Sequence, residues 1–445
     1  MLLGSFLSVL QPLVNLLFPD GFASSQRPLP KPLNFELRHL HAVTSSAQVY
    51  FSDIPPSSPY RTANANDPLS LQPRLITRHR PSSSDAFQLS RTRSIRKGES
   101  DASLGWEEDE VEAPDVESRE TLLVLAKMTS NAYYDGPEEN GWYDLGGNWT
   151  ASAPVGWEPD QDGFRGHIFV TPDNSTVVLS IKGTSASFSG GGTTKKDKLN
   201  DNLLFSCCCA RVDWTWTTVC DCYRSGWKCE QTCVEQALSD ESLFYGIGTN
   251  LYNNITYMYP DSNIWVIGHS LGGALASLLG VTFGAPVVAF ESPGEKMAST
   301  RLHLPSPPST QHITHVYHNA DPIAMGTCNG VLSSCALGGY AMESQCHLGK
   351  VIEYDTVSNL SWAVDIRTHT ILTVIEKVLS DPWAPAIDVG REVPEAKVQD
   401  DCVVRRSALY QFSVDYERNA DRSRTFDRSV TAGSLVTMTE RSEGP

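Results

Sequence analysis

Residues 266–275 read Val-Ile-Gly-His-Ser-Leu-Gly-Gly-Ala-Leu, and this run constrains the fold of the chain most tightly. Gly268, Ser270 and Gly272 fit Gly-x-Ser-x-Gly, a sharp turn between a strand and a helix that presents a serine hydroxyl. Glycines suit the flanking positions because strand and helix approach there too closely for a side chain. The neighbours agree. Ile-Trp-Val-Ile at 264–267 is a short apolar strand, and Ala-Leu-Ala-Ser-Leu-Leu at 274–279 is a small-residue helix able to pack on a sheet.

Residues 265–290 contain no Asp, Glu, Lys or Arg, a length that passes a crude test for a membrane-spanning helix. Gly268, Gly272, Gly273, Gly280, Gly284 and Pro286 punctuate it, however. Read in pieces it is strand, elbow, helix, turn and a second strand, Val-Val-Ala-Phe at 287–290. Parallel strands buried on both faces are apolar throughout, so the run reads as protein core.

Other elements follow from periodicity. Leu122, Leu123, Leu125, Ala126 and Met128 form the apolar face of a helix, and residues 167–170 and 176–181 flank Pro-Asp-Asn-Ser in a hairpin. Leu243, Ile247, Leu251, Ile255 and Met258 mark a helix that ends just before the elbow strand, and a last helix is expected over 371–379. Strands alternating with helices predict an α/β sheet, mostly parallel, with helices on both faces. The expected organisation is a hydrophobic signal or anchor segment at 1–18, a disordered linker at 19–119, an α/β-hydrolase domain at 120–388 and a mobile tail at 389–445. The linker reading rests on Pro, Ser and Arg up to Lys97, followed by an acidic run at 107–110. Arg74, Arg78, Arg80, Arg91, Arg93 and Arg96 read as solvated charges of that linker.

The formal charge of −17 argues against a nucleic-acid partner and gives no general attraction to anionic membranes. Residues 1–18 are charge-free and mostly apolar, and fit an uncleaved anchor, a signal peptide or a plain apolar end, the first being preferred. Seven of the eleven cysteines lie between Cys207 and Cys233, joined by Cys328, Cys335 and Cys346, while Cys402 stands apart. Ten cysteines in the enzyme region suffice for five bridges of unreadable connectivity. Zinc is the rival, through Cys220, Cys222, Cys229 and Cys233. The sequons at Asn148, Asn174, Asn254 and Asn359 suggest glycosylation in the secretory pathway and favour disulfides.

A serine hydroxyl needs a base to take its proton and an acid to hold that base, and in this fold they follow the serine in the order acid, then His. His369 precedes the last helix, where a side chain can reach over the sheet edge; His347 adjoins Cys346 and reads as pinned. Asp321 leaves the strand at 314–317, the end at which open α/β sheets place function. Asp355 and Asp365 compete, but Asp365 lies too near His369 in sequence for a strand-end pair. The backbone N–H of Leu271 and the N–H or hydroxyl of Thr184, after the strand at 177–181, are the expected oxyanion donors. No metal or cofactor is implied.

Gly-Thr after a strand, Gly-His-Ser-Leu-Gly-Gly, Asn-Ala-Asp-Pro-Ile and a late His resemble the class 3 lipases. The words Leu-Ala-Lys-Met-Thr-Ser-Asn-Ala-Tyr at 125–133 and Gly-Trp-Tyr-Asp-Leu at 141–145, with Cys207-Cys208-Cys209, resemble the fungal autophagy-related vacuolar lipases over residues 120–390. That resemblance implies a membrane-anchored glycoprotein with a lumenal catalytic domain, reaching the vacuole through multivesicular bodies and breaking down membranes of autophagic bodies and internal vesicles. It also implies the triad Ser270, Asp321 and His369. The expected substrate is a membrane lipid or acylglycerol; the alternatives are a secreted esterase of soluble esters and a lipid-binding fold without chemistry. Residues 204–236, with Trp214, Trp216, Tyr223 and Trp227 among the cysteines, read either as a stapled structural loop or as a lid with tryptophans at the membrane interface.

Overall fold

The computed structural model describes residues 31–43, 49–56, 71–97, 104–134, 142–143, 164–184, 195–211, 216–224, 228–239, 243–399 and 402. The expected segment at 1–18 lies outside them, and among the described residues no helix is long and apolar enough to cross a membrane.

The strands are β1 (Glu36–Val43), β2 (Val49–Asp53), β3 (Pro73–Pro81), β4 (Trp106–Pro114), β5 (Gly166–Val170), β6 (Thr176–Ile181), β7 (Tyr223–Arg224), β8 (Lys228–Cys229), β9 (Asn263–His269), β10 (Val287–Phe290), β11 (Ile313–His318), β12 (Lys350–Tyr354) and β13 (Lys397–Val398). Nine of them form one sheet in the order β13-β12-β11-β10-β9-β6-β5-β1-β2. From β6 to β12 neighbours run parallel, as the apolar runs predict. Outside that block β5, β1, β2 and β13 add antiparallel pairings. The expected hairpin is β5–β6, with Phe169 opposite Val178.

Strand alternation builds two cores. Ile264, Val266, Val287 and Ala289 face the elbow helix Leu271–Phe283 and the helix Phe244–Met258. Trp265, Ile267, Val288 and Phe290 face the helix Arg119–Asn131 and the last turns at 371–378. A sheet buried on both faces explains why residues 264–267 and 287–290 carry no polar alternation.

The linker expectation for 19–119 is overturned for much of its length. β1 and β2 extend the main sheet, and β3 and β4 form a hairpin that encloses the helix Ser84–Lys97. Composition misled because the basic and acidic runs are partners across one ladder. Arg78 stands opposite Asp109 and Arg80 opposite Glu107, with ion pairs at 2.7 and 2.8 Å. Each run alone is too charged to fold; paired, they neutralise each other, as opposite charges across a strand pair do. Phe87 is buried beneath them, and the Arg91 guanidinium donates to the Leu302 carbonyl at 2.8 Å.

The boundary at 388 is also overturned. Residues 389–399 are described, with Val393 buried and β13 paired to β12. The last helix is α-helical only over Ile371–Thr373 and continues as a π-turn over Val374–Val378. The five disulfides join Cys208 to Cys229, Cys209 to Cys220, Cys222 to Cys233, Cys328 to Cys335 and Cys346 to Cys402. Cys402 therefore belongs to the framework. Spacing could not reveal this, because the partner of Cys402 lies 56 residues away in sequence.

Candidate active site

Ser270 sits between β9 and the elbow helix at φ 56°, ψ −128°, a conformation that L side chains rarely adopt. Its N–H donates to the Phe290 carbonyl at 3.0 Å, which anchors the turn to β10. The two motif glycines are steric requirements. A Cβ on Gly268 would stand 2.3 Å from the Gly272 carbonyl oxygen, and one on Gly272 would stand 2.3 Å from that of Ile181.

The three residues singled out from sequence converge. Ser270 Oγ lies 2.9 Å from Nε2 of His369, whose Nδ1 lies 2.6 Å from Oδ2 of Asp321. Asp321 leaves the carboxyl end of β11 and is fully buried; its Oδ1 accepts the Ile323 N–H at 2.9 Å. Burial alone would raise this carboxyl, but the charge and hydrogen bond of His369 hold it below the usual range. The competitors are occupied elsewhere. Asp355 accepts the Ser358 N–H at the start of its helix, Asp365 chelates Arg367, and His347 gives Nε2 to the Ser292 carbonyl at 2.9 Å.

The loop leaving β6 lies against the serine: a Cβ on Gly183 would come within 3.0 Å of the Ser270 Cβ. Thr184 follows, and its hydroxyl donates to Asp201 at 2.6 Å. Burial pushes Asp201 up to about 8. Beneath it, Lys182 is buried with its Nζ 3.5 Å from Asp197 and donates to the Gly183 carbonyl at 2.9 Å. Leu271 opens the elbow helix, where N–H groups have no intrahelical partner and the helix dipole favours negative charge.

Sequence reasoning missed a second layer. His269 donates its Nε2–H to the backbone carbonyl of His369 at 2.7 Å and accepts the Tyr133 hydroxyl proton at Nδ1, 2.6 Å away. Burial, with the neighbouring His369, lowers His269 to about 3, so its ring is neutral. The fully buried Glu291 accepts the His318 N–H at 3.1 Å, shortly before Asp321 in the chain. Position in the motifs was the available signal: His269 precedes the serine, and Glu291 follows β10 at the sheet's functional end.

The expected lid segment is stapled by three of the disulfides. Trp216 packs inward against Ala210, Ala336 and Ala341; Trp214 and Trp227 lie outside the described residues. Among the described residues Cys209, Cys220 and Cys222 are the cluster with metal-ligand spacing, and all three are in disulfides. Of the sequons, Asn174 and Asn359 are exposed, Asn254 is half-buried on its helix, and Asn148 lies outside the described residues.

Residues 192–327 match the family described as lipase (class 3). "Putative lipase ATG15" of Cryptococcus neoformans var. neoformans serotype D (strain B-3501A) is 61% identical over 284 residues, covering 62% of this chain and 54% of that protein. The protein of that name from Mycosarcoma maydis is 55% identical over 295 residues, covering 64% and 56%, and that from Saccharomyces cerevisiae (strain ATCC 204508 / S288c) is 51% identical over 282, covering 62% and 54%. The chain is similar to the class 3 lipases over residues 192–327. It spans about half the length of the curated relatives it matches. The class 3 lipase match takes in Ser270, Leu271 and Asp321, while Thr184 and His369 lie on either side of it. Among solved structures, a triacylglycerol lipase from Penicillium expansum is similar at 15% identity and TM-score 0.27, covering 54% of this chain and 80% of that one. A Rhizomucor miehei lipase propeptide complex is similar at 13% identity and TM-score 0.26, covering 57% and 77%.

Proposed function

We propose that the chain is a serine ester hydrolase acting on membrane lipids or acylglycerols. The observation that carries this reading is the continuous line from Ser270 Oγ through the His369 ring to Asp321, with contacts of 2.9 and 2.6 Å. His369 Nε2 takes the hydroxyl proton as Ser270 Oγ bonds to the ester carbonyl carbon, and the carbonyl oxygen becomes an oxyanion. Leu271 and Thr184 donate backbone N–H groups to that oxygen; losing one such donor costs roughly 10²–10³ in rate. The imidazolium then returns its proton to the leaving alcohol. Water, deprotonated by the same nitrogen, releases the acid from Ser270. Asp321 stays ionised throughout and keeps the His369 Nδ1 proton directed at itself. The chemistry calls for no metal or cofactor, and the acidic chain is no partner for nucleic acid.

Lipid is the preferred substrate because the relatives from Cryptococcus neoformans and Mycosarcoma maydis are named as putative lipases. Their shared name also supports a role in lysing autophagic bodies and vesicles in the vacuole, with the catalytic domain lumenal, glycosylated at Asn148, Asn174, Asn254 and Asn359, and tethered by residues 1–18. Five disulfides suit an oxidising lumen.

The test compares wild type and Ser270→Ala on an emulsified lipid and a soluble short-chain ester. Hydrolysis of the emulsion, abolished by Ser270→Ala, is the expected result. Preference for the soluble ester would identify an esterase instead. Failure of wild type to hydrolyse either, or to be labelled by a serine-directed phosphonate, would leave a binding protein.

A further inference from the structure

We infer that the loop following Asp321, residues 327–338, is a lipid-docking tip: Val331, Leu332 and Leu337 enter the surface of a lipid aggregate and bring the candidate site onto it. The inference rests on the proposed reading of the chain as a lipid-ester hydrolase and adds the surface by which substrate is met. Single exposed apolar side chains are ordinary. Here three stand together on one loop, Val331 at 42%, Leu332 at 85% and Leu337 at 76% exposure. The stretch 322–342 around them contains no Asp, Glu, Lys or Arg, in a chain of formal charge −17. The tip can therefore leave water without stripping an ion, which is far costlier to bury than a neutral group.

The loop is anchored at both ends to elements that build the site. At its start the Asp321 carboxylate accepts the Ile323 N–H at 2.9 Å, and the Pro322 carbonyl accepts the N–H groups of Thr327 and Cys328 at 2.8 and 2.9 Å. At its end Lys198 donates to the Gly338 carbonyl at 2.9 Å. The Asn202 side chain donates to the Gly339 carbonyl at 3.0 Å and accepts the Ala341 N–H at 2.8 Å. Lys198 and Asn202 belong to the helix Lys195–Phe205, whose Asp201 accepts the Thr184 hydroxyl. The bridge from Cys328 to Cys335 is buried, so the loop is closed from within and leaves its apolar tip outside. A stapled tip loses little conformational freedom on docking. Size and charge then select the occupant. Three side chains fall far short of the ~1,000 Å² that a stable protein interface needs, and two copies of so acidic a chain repel each other. A lipid surface takes up apolar side chains one at a time, each worth roughly tenfold or more in partitioning when buried.

The experiment uses the full chain in two arms. In the first, wild type and Leu332→Trp are mixed with phosphatidylcholine vesicles, with and without bromine on the acyl chains, which quenches an indole lying among them. We expect the emission added by Leu332→Trp to be quenched by the brominated lipid, since indoles settle at the membrane interface. This readout needs no hydrolysis, and attachment through residues elsewhere in the chain does not supply it. In the second arm, wild type and the double variant Leu332→Ser, Leu337→Ser are compared on a triolein emulsion and a soluble butyrate ester. The emulsion rate should fall roughly tenfold or more. Both leucines are exposed, so kcat/KM on the soluble ester should stay within about twofold and the thermal midpoint should not move. An unquenched added indole, or a double variant as active as wild type on the emulsion, would overturn the inference. A wild-type dimer that the double variant dissolves, with the added indole unquenched, would give the patch to a second copy and overturn it too. Should wild type leave the emulsion untouched, the first arm decides alone: quenching upholds the docking surface while the reading as a lipid hydrolase falls. An active lipid hydrolase with an unquenched indole leaves that reading standing and sinks this inference alone.

Discussion

Tyr133 and His269 are joined by a hydrogen bond of 2.6 Å that links the two halves of the candidate site. The Tyr133 hydroxyl oxygen also accepts the Gly183 N–H at 3.1 Å, on the loop that carries Thr184. On its far side His269 donates from Nε2 to the His369 carbonyl, so Nδ1 is left to accept the tyrosine proton. One relay thus runs from the loop that carries Thr184 to the backbone of His369.

Tyr133→Phe breaks that relay while keeping the ring. The buried Gly183 N–H and His269 Nδ1 lose their partner, a penalty of about 1–3 kcal/mol. The larger effect is on geometry: kcat should fall by roughly an order of magnitude, less than the ~10²–10³ for deleting a donor outright. Urea unfolding and steady-state kinetics on a soluble ester measure the two. A variant that loses stability but keeps full kcat would reduce the relay to a structural support.

Acid should weaken the hairpin β3–β4 in a defined direction. The Arg78 guanidinium grips Asp109 through two hydrogen bonds of 2.7 and 3.0 Å and holds that carboxyl below its ordinary value of 3.8. A carboxyl depressed in the folded state adds stability above its unfolded value, and the gain disappears as pH falls through the folded one. Wild type should therefore exceed Arg78→Met in urea midpoint at pH 6, with the gap closing below pH 3.8. A gap that stays constant over this range would show that the pair contributes nothing that titrates.

The parts of the molecule legible in the sequence were those fixed by local pattern. Apolar runs gave β9 and β10, the glycine pattern gave the elbow, and Asp-Pro after an apolar strand pointed to the carboxylate that lies 2.6 Å from His369. What escaped depended on partners remote in sequence. Arg78 and Asp109 look disordered until they face each other across a ladder, and Cys402 looks solitary until β13 carries it to Cys346. Glu291 escaped because its burial and its contact with the His318 N–H depend on β10 and β11 lying side by side.

The segment following residue 388 should prove structural. Gln399 donates to the Tyr317 hydroxyl at 3.1 Å and accepts the His347 N–H at 3.1 Å, and Val398 pairs with Lys350. Cys402→Ser removes the bridge to Cys346, which should cost about 2–4 kcal/mol in oxidising buffer. Truncation after residue 388 should cost more, since the β13 pairing and the Gln399 contacts go too. Denaturant midpoints of the three proteins check the order. A truncated chain as stable as wild type would restore the boundary expected from composition.

Trp216 tests whether the described part of the cysteine-rich segment is scaffold or membrane contact. The ring is half-buried against Ala210, Ala336 and Ala341, and its carbonyl accepts a hydrogen bond from Arg211 at 3.2 Å. Ala210 and Ala336 lie in different disulfide-stapled stretches, so the indole packs between them. Trp216→Ser deletes that packing, and large-to-small changes of this kind cost about 3–5 kcal/mol when fully buried. At half burial a smaller loss is expected. As scaffold, Trp216 should affect hydrolysis of vesicle lipid and of a soluble ester by the same factor, in step with the fall in thermal midpoint. A loss confined to vesicles, at unchanged thermal midpoint, would instead place this tryptophan at the lipid surface.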